Sequence, residues 1–572
     1  MSKFYYNEEQ ESYDAIVVGT GISGGWAAKE LCEKGLKTLV LERGRMVKHR
    51  EDYPTANMDP WDFPNAGQPT LEDLAKQEKQ ARTGYTVRKD SQHWFVNDLE
   101  HPYNEVKRFD WMRGYHVGGR SIMWGRHSYR WSEIDFAANG KEGVAVDWPI
   151  RYKDIAPWYD KVESYIGVSG ELLGLPQLPD GQFEPMMELN CVEDFVRGKV
   201  AEHFDGRVIT AGRVAHINSD KRFEGDGRVR CQYRNRCVRG CPFGGYFSSV
   251  SSTLPAAERT GNMTLRPDSI VHEIIYDPNT KKATGVKVID RLTKETFEFK
   301  AKVIFLCASA VASTSILMQS KSDRFPDGLG NDSGELGHNM MDHHFKAGAR
   351  GKVDGFDDKY YKGRKPNGIY IPRFRNLGGS SDMESFTRGY GYQGGASRDN
   401  YEDLVAEASF GKELKEGVLK PGGWTMNMLG FGEILPYHEN KMVLDYDKKD
   451  QWGLPTVTFD AEIKENELQM RKDMQEQAAA MLEKSGARDI ETYDETYAIG
   501  LGIHEMGTAR MGRDPKTSVL NGFNQVHACK NVYVTDGSFM TSASCVNPSL
   551  TYMAFTARAV DHAAQELKKG NI

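Results

Sequence analysis

The sequence is poor in several features that mark whole classes of protein. Eight cysteines in 572 residues are too few for a secreted scaffold held together by disulfides. Lys and Arg (74) are outnumbered by Asp and Glu (81), for a net charge of −7. The chain therefore lacks the basic excess of a general nucleic-acid-binding protein, and we expect no nucleic-acid partner. It has no repeat at solenoid periods and no low-complexity segment.

Signals for targeting and membrane insertion are also missing. The N-terminal stretch MSKFYYNEEQESYDAIVVG has no charged segment followed by an apolar one, so we expect no signal peptide. The C-terminal residues 570–572 carry no lipidation motif. The longest uncharged run, between Lys302 and Lys321, is rich in Ala, Ser and Thr. It predicts a buried strand followed by a helix, so the chain is not expected to be transmembrane itself.

What the sequence does contain is typical of a soluble globular protein. Hydrophobic residues make up 39% and charged residues 27% of the chain, which is the ordinary range for such proteins. At roughly 150 residues per domain, the length predicts about two to four domains.

A strand, a glycine turn, a helix, a second strand and an acidic residue follow one another between residues 13 and 44. Residues 15–18 and 38–41 are short apolar runs suited to buried parallel strands, and residues 23–33 have helical composition. The turn is G-x-G-x-x-G, and Glu42 follows its last glycine by 18 residues, close to the ~20 typical of dinucleotide-binding folds. The turn's glycines are Gly19, Gly21 and Gly24.

Each residue of this motif has a physical role in holding a dinucleotide. Gly19 permits the tight turn, Gly21 lets the backbone approach a pyrophosphate, and Gly24 lets the helix pack closely on the strand. The helix N-terminus offers free N–H groups to phosphates. Glu42 can accept hydrogen bonds from ribose hydroxyls, and Arg43 follows it. The motif predicts a dinucleotide site and allows either NAD or FAD.

Three further segments carry a family resemblance: residues 115–136 (YHVGGRSIMWGRHSYRWSEIDF), residues 500–512 (GLGIHEMGTARMG) and residues 531–563 (NVYVTDGSFMTSASCVNPSLTYMAFTARAVDHA). Together with the N-terminal motif, and in this order, they resemble the glucose–methanol–choline (GMC) oxidoreductase family of flavoproteins. The resemblance implies FAD and an α/β fold. In that fold a Rossmann-like FAD-binding domain accompanies a substrate domain built on an antiparallel sheet.

The resemblance implies that both domains are discontinuous in sequence. The matching ends and the weakly matching middle assign residues 1–165, 231–340 and 495–572 to the FAD-binding domain, and residues 166–230 and 341–494 to the substrate domain. Alternating runs at residues 441–445 and 456–460 predict strands of the antiparallel sheet over the flavin.

The resemblance also assigns the catalytic residues. In the motif H-x-x-G-T-x-R-M-G, His504 is the base that takes the proton of a substrate hydroxyl. The family's second position holds His or Asn, and here it is Asn547, which can hydrogen-bond the hydroxyl but cannot take its proton. For the doublet His343-His344 we favour a structural loop over a place in the active site. No H-x-x-x-H or carboxylate cluster predicts a metal site.

Further FAD contacts are expected from two segments, residues 118–125 and 536–550, and from the isolated position Val271. The stretch from Gly118 to Gly125 should pass the reactive edge of the flavin. A strand ending at residues 536–537 and the start of a long helix after Asn547 should offer an N-terminus to the reduced ring. Met123 stands where some relatives carry a His that bonds FAD covalently, so we expect non-covalent FAD. The expected contacts are Gly118, Gly119, Ser121, Met123, Trp124, Gly125, Val271, Asp536, Gly537, Pro548, Ser549 and Leu550.

Three cysteines with the spacing C-x5-C-x3-C, Cys231, Cys237 and Cys241, lie in one short loop at residues 231–245, and a proline follows the last. A disulfide uses two thiols and leaves one over, and zinc normally takes four ligands. An iron–sulfur cluster suits a short loop of thiolates. The interleaved arginines at 234, 236 and 239 would stabilise thiolates or simply face solvent.

The loop resembles that of the catalytic subunits of bacterial FAD-dependent sugar dehydrogenases. There a [3Fe–4S] cluster passes electrons from FAD towards a cytochrome subunit. A loop of free or bridged cysteines remains the alternative. The chain has no C-x-x-C-H haem motif, so any haem would belong to a partner.

The function expected from these features is FAD-dependent oxidation of a secondary hydroxyl of a sugar or glycoside, such as C3 or C2 of a pyranoside, to a ketone. A small subunit and a cytochrome c acceptor are the expected partners. One alternative is an oxidase that reduces O₂ to H₂O₂ and has structural cysteines, and another is a non-catalytic flavin-fold subunit. Export to the periplasm beside a signal-bearing partner and a cytoplasmic location both stay open.

Overall fold

The computed structural model describes residues 12–220, 227–359, 367–398, 410–419, 422–495 and 498–572. Its helices are α1 (Ile22–Glu33), α2 (Leu71–Lys76), α3 (Glu78–Ala81), α4 (Glu133–Glu142), α5 (Tyr152–Ile166), α6 (Cys191–His203), α7 (Thr253–Arg259), α8 (Ala310–Gln319), α9 (Gly411–Leu419), α10 (Glu465–Lys484) and α11 (Ser549–Lys568).

The strands are β1 (Tyr13–Val18), β2 (Thr38–Leu41), β3 (Asn104–Glu105), β4 (Val168–Ser169), β5 (Phe183–Glu184), β6 (Thr210–Ala211), β7 (Met263–Arg266), β8 (Ser269–Asp277), β9 (Lys282–Asp290), β10 (Thr296–Leu306), β11 (His343–Val353), β12 (Ile369–Ile371), β13 (Tyr390–Arg398), β14 (Trp424–Glu433), β15 (Lys441–Lys449), β16 (Pro455–Asp460), β17 (Arg488–Asp494), β18 (Gln525–Val526) and β19 (Cys529–Val534).

A largely parallel sheet forms the first layer, with the order β18-β19-β10-β1-β2-β7, and β8 and β9 extend it from β10. β1 lies between β10 and β2, with Ala15 opposite both Val303 and Thr38. Alternate residues of β1 enter different cores, because side chains of a strand point to opposite faces: Ile16 packs on one side and Val17 on the other. Both faces of the sheet are therefore covered, as parallel sheets require.

The second layer is a six-stranded antiparallel sheet with the order β17-β11-β14-β13-β12-β6. One face packs on α10, where Met426 and Met428 of β14 join Met470 and Met474 of the helix in one buried core. Leu429 and Phe431, further along β14 at the alternate positions, point to the opposite face and line a cavity. The predicted fold, a Rossmann-like layer with an antiparallel-sheet layer, is thus confirmed.

One detail differs from the sequence-based expectation. The runs at 441–445 and 456–460 do pair antiparallel, as β15 and β16, but they join β3 in a separate three-stranded sheet. The alternating pattern predicts strands correctly but cannot tell which sheet a strand joins. The uncharged run after Lys302 forms the end of β10 and then α8. Across the residues with described coordinates, we find no helix with the length and apolarity needed to cross a bilayer.

Candidate active site

A cavity of about 500 Å³ lies where the carboxyl ends of β1, β2 and β10 face the antiparallel sheet. Open parallel sheets bind their ligands at this edge. Most residues expected to contact the cofactor line the cavity: Gly19, Gly21, Glu42, Arg43, Gly119, Ser121, Met123, Trp124, Gly125, Val271, Asp536, Gly537 and Ser549. Both residues expected to be catalytic, His504 and Asn547, line it as well.

The glycine turn has the geometry of a phosphate cradle. Gly19 has a φ of +98°, and a Cβ there would stand 2.5 Å from the Cys307 carbonyl oxygen. A Cβ on Gly24 would stand 1.9 Å from the Gly19 carbonyl oxygen, so Gly24 serves helix packing and does not line the cavity. A Cβ on Gly21 would meet nothing within 4 Å, and α1 has no side-chain cap. Its first N–H groups are thus available to an anion.

The acidic residue after β2 is buried at the same edge. The Glu42 carboxylate accepts hydrogen bonds from the backbone N–H groups of Thr20 (3.1 Å) and Gly44 (3.0 Å). Burial raises its pKa. Arg43 lies over the ring of Tyr115, 4.7 Å from its centroid, and faces Asp450 at 3.4 Å. The loop between β15 and β16 therefore covers the end of the cavity where the dinucleotide motif lies.

The segment 118–125 is fastened to the glycine turn by hydrogen bonds. The Gly118 N–H donates to the Thr20 hydroxyl at 2.9 Å. Ser249 forms a second link, because its N–H donates to the Ser121 hydroxyl at 3.0 Å and its hydroxyl donates to the Gly21 carbonyl at 2.8 Å. Gly118 has a φ of +90° and, unlike Gly119, does not line the cavity. Met123 presents a thioether to the cavity wall. The conformation of this segment and the position of the turn thus depend on each other.

The C-terminal segment completes the wall. Asp536 accepts hydrogen bonds from the N–H (3.0 Å) and hydroxyl (2.6 Å) of Ser538. A Cβ on Gly537 would stand 2.2 Å from the Glu505 carbonyl oxygen, so only glycine fits there. Pro548 precedes α11, and Leu550 packs in the core; neither lines the cavity. Tyr552, which sequence reasoning missed, lines the cavity, and its buried hydroxyl has no hydrogen-bond partner among the described residues.

The hydrogen bonds of His343 determine which nitrogen of His504 is free. His343 Nε2 lies 2.9 Å from the Ser544 carbonyl oxygen, and its Nδ1 lies 2.9 Å from His504 Nδ1. A carbonyl only accepts, so Nε2 of the neutral His343 carries the proton and its Nδ1 is an acceptor. His504 must then donate from Nδ1, which leaves a lone pair on its Nε2, 3.4 Å from Asn547 Nδ2.

Burial keeps both imidazoles neutral. It lowers the pKa of His343 to about 4 and that of His504 well below its ordinary value, and His343 and Arg120 lower the latter further. A neutral imidazole with a lone pair directed at the cavity is the form that a general base requires.

The preference for a structural role at residues 343–344 is wrong for one residue of the pair. His343 contacts His504 from behind the cavity wall, whereas His344 points to the other side of β11 and is buried against Gly432. Consecutive strand residues face opposite ways. The signal that could have separated them was this alternation, which also directs Phe345 to the cavity.

Asp342 holds the backbone around His504. Its carboxylate accepts hydrogen bonds from the N–H groups of His343 (2.8 Å), Gly500 (2.8 Å), Gly502 (3.0 Å) and His504 (3.0 Å). Burial and the neighbouring Glu505 carboxylate raise the pKa of Asp342 to about 7. Potential ligand atoms of Asp342, His343 and His504 lie within 4.8 Å of one another. His343 Nδ1 and His504 Nδ1 are already hydrogen-bonded to each other. The cluster therefore fits a hydrogen-bond network better than a metal site.

A half-buried ion pair lies beside this network. Arg120 and Glu505 are joined by contacts of 2.8 and 3.2 Å and both line the cavity. Glu505 directly follows the base in sequence, so the pair also constrains the position of His504.

The cysteine loop lies apart from the cavity, and its three cysteines are half-buried. All eight cysteines of the chain are described and have free thiols. Burial raises the pKa of Cys231 to about 11 and also raises that of Cys237. Within the described ranges, the three loop sulfurs do not form a group whose members are all within 4.8 Å of one another, so they do not fit a single shared metal ion.

The arginines of this loop were expected either to stabilise thiolates or to face solvent, and the structure gives them a different role. Arg234 donates to the Ala56 carbonyl at 2.6 Å, Arg236 pairs with Asp59, and Arg239 donates to the Met58 carbonyl at 2.8 Å. They anchor the loop to residues 56–59 and do not serve chiefly as partners of the thiols. The cation that lowers the pKa of Cys237 most is Arg126, a residue of the cavity wall.

Comparison with known proteins decides the family. The GMC oxidoreductase family matches the chain over residues 13–345 with its N-terminal part and over residues 436–556 with its C-terminal part. The chain belongs to the GMC oxidoreductase family. It is therefore an FAD-dependent oxidoreductase that acts on CH–OH groups. The glycine cradle, the free helix N-terminus and the cavity between the two sheets fit that cofactor.

Three relatives match over nearly their whole length. A 2-methyl-1,2-propanediol dehydrogenase of Mycolicibacterium austroafricanum is 28% identical, covering 96% of this chain and 94% of the relative. The fructose dehydrogenase large subunit of Gluconobacter japonicus is 26% identical (99% and 100%). The paromamine 6'-oxidase of Streptomyces fradiae is 25% identical (98% and 93%). The solved structure of formate oxidase from Aspergillus oryzae shares the fold, with a TM-score of 0.61 and 15% identity over 98% of this chain and 99% of that one.

Proposed function

We propose that this GMC oxidoreductase is a sugar dehydrogenase that oxidises a secondary ring hydroxyl of a sugar or glycoside, such as C2 or C3 of a pyranoside, to a ketone. The observation that carries the proposal is the lone pair of His504 Nε2 beside the Asn547 amide. The cavity wall includes the polar side chains of Arg126, Asn367 and Gln393. Such a wall suits a substrate with several hydroxyl groups, and the similarity to a fructose dehydrogenase subunit supports this class.

The residues around the base account for the proton. The substrate hydroxyl donates its proton to His504 Nε2, while Asn547 Nδ2 donates a hydrogen bond to the same oxygen. Bound FAD supplies the acceptor for the hydride that leaves the carbon. The carbinol thus loses one proton and one hydride and becomes a carbonyl. Met123 offers no nucleophile for covalent attachment, so FAD is held non-covalently.

The cysteine loop is proposed to hold a [3Fe–4S] cluster through Cys231, Cys237 and Cys241. A cluster with one thiolate on each iron does not need the sulfurs to converge on one point. Its chemistry is one-electron transfer, which would pass electrons to a partner such as a small subunit with a cytochrome c. The similarity to a protein named as a large subunit supports a partner. Periplasmic and cytoplasmic locations are both compatible with this proposal.

An oxidase is the second candidate, because the similarity to paromamine 6'-oxidase spans 98% of the chain. It would use the same base and pass electrons to O₂, with structural cysteines in the loop. The third reading, a non-catalytic flavin subunit, is disfavoured because His504 and Asn547 both line the cavity.

One set of measurements tests these candidates on the purified holoprotein. Anaerobic addition of sugars, sugar acids, glycosides and simple alcohols should bleach the flavin absorbance only with members of the sugar class. Iron analysis and low-temperature EPR should detect a [3Fe–4S] cluster, and an oxygen electrode should show little O₂ uptake. Rapid O₂ uptake without iron would support the oxidase, and no bleaching by any compound would refute both enzymes.

A further inference from the structure

Gln393 lies on the face of the antiparallel sheet that closes the cavity. It occupies the middle of β13, opposite Tyr370 of β12 and Leu429 of β14. Its neighbour Tyr392 points to the other face, where its hydroxyl donates to the Met474 carbonyl at 2.7 Å. The alternation of the strand therefore directs Gln393 towards the active site, and it lines the cavity.

The side chain of Gln393 contacts one of the two groups assigned to catalysis. Its Nε2 donates a hydrogen bond to Asn547 Oδ1 at 2.8 Å. A primary amide has an acceptor side and a donor side. With Oδ1 engaged by Gln393, Asn547 turns its Nδ2 towards His504 Nε2. We propose that Gln393 is a positioning residue that sets the orientation of the Asn547 amide, an inference that rests on the proposed function.

This orientation matters because a substrate hydroxyl has a single proton to give. In the observed orientation the hydroxyl meets an acceptor, His504 Nε2, and a donor, Asn547 Nδ2–H. If the amide were turned over, Oδ1 would compete with His504 for the hydroxyl proton. It would also face the lone pair of Nε2. Gln393 therefore excludes an arrangement with two acceptors and no donor.

Two substitutions at one position separate this role from simple packing. Q393L keeps most of the volume but removes the donor, which frees the Asn547 amide. Q393E keeps the shape, but its ionised carboxylate only accepts hydrogen bonds, so it draws Asn547 Nδ2 away from the base. We expect the rate of anaerobic flavin reduction to fall ~10-fold in Q393L and ~10²-fold in Q393E. A packing role predicts the reverse order, because Glu is the closer match in shape.

The pH dependence gives a second signature. When the introduced carboxyl of Q393E is protonated, its O–H can again donate to Asn547 Oδ1. The reduction rate of Q393E should therefore rise as the pH falls, whereas that of Q393L should lie parallel to wild type. The variants should keep the wild-type flavin content, and the change should appear in the limiting rate more than in the substrate concentration at half-saturation.

A double-mutant cycle with N547A decides whether Gln393 acts through Asn547. If it does, Q393L adds little to the loss already caused by N547A. Equal effects of Q393L in the wild-type and N547A backgrounds, or a slower Q393L than Q393E, would overturn the inference. The test uses whichever compound reduces the wild-type flavin. If no compound does, the proposed function fails; if one does and the cycle is additive, the positioning role alone fails.

Discussion

Replacing His343 tests whether the hydrogen-bond chain from Ser544 sets the tautomer of the base. In H343L the Nδ1–H of His504 loses its acceptor at 2.9 Å, and the tautomer with a protonated Nε2 is no longer disfavoured. That tautomer cannot take a proton from the substrate. A neutral hydrogen bond contributes about 0.5–1.5 kcal/mol, which corresponds to roughly a 2- to 13-fold change in the tautomer ratio at 25 °C.

H343Q is the matched control for this substitution. A glutamine can donate from Nε2 to the Ser544 carbonyl and accept at Oε1 from His504 Nδ1–H, so it can replace both hydrogen bonds. The assay is the limiting rate of anaerobic flavin reduction by stopped-flow absorbance, normalised to bound flavin. We expect a loss of ~10-fold or somewhat less in H343L and substantial recovery in H343Q. A rate in H343L equal to wild type, or H343Q no faster than H343L, would refute the tautomer argument.

Four further outcomes are expected. H504A should reduce its flavin ~10²–10⁴-fold more slowly, because it removes the base, with flavin content as the control. In D342N, which lacks the carboxyl whose pKa is about 7, the reduction rate should stay flat as the pH falls through 6.5, because burial holds the pKa of His504 below its ordinary value; a titration centred near 6.5 would contradict this. D342N should lower the free energy of unfolding by about 1–3 kcal/mol, measured by denaturant titration, because an amide cannot accept four N–H groups. C237S should abolish the EPR signal of the cluster and keep FAD, whereas C191S, outside the loop, should keep both.

The fold could be predicted largely from local signals. The run at residues 15–18, the glycine turn and Glu42 lie within about 30 residues of sequence, and short-range order of this kind specifies a βαβ unit by itself. The start of α11 after Asn547 is likewise a local signal. The sheet that β15 and β16 join could not be predicted from local signals, because strand pairing depends on which strand edges meet in space.

The site was predictable where chemistry resides in a motif and not where it depends on contacts between distant residues. His504 and Asn547 are 43 residues apart and follow from the family pattern. His343, 161 residues from the base, and Gln393, 154 residues from Asn547, do not. Their side chains matter only because the packing of the two sheets brings His343 against His504 and Gln393 against Asn547.

The sequence by itself determined a dinucleotide-binding α/β protein, because strand patterns and glycine turns act over short stretches, and its family resemblance predicted His504 as the base with Asn547 beside it. Only the tertiary structure decided which nitrogen of His504 is free and which side of the Asn547 amide faces it. Those choices are made by hydrogen bonds in which the Ser544 carbonyl and His343 Nδ1 accept and Gln393 Nε2 donates. Such bonds form only after the two sheets have packed.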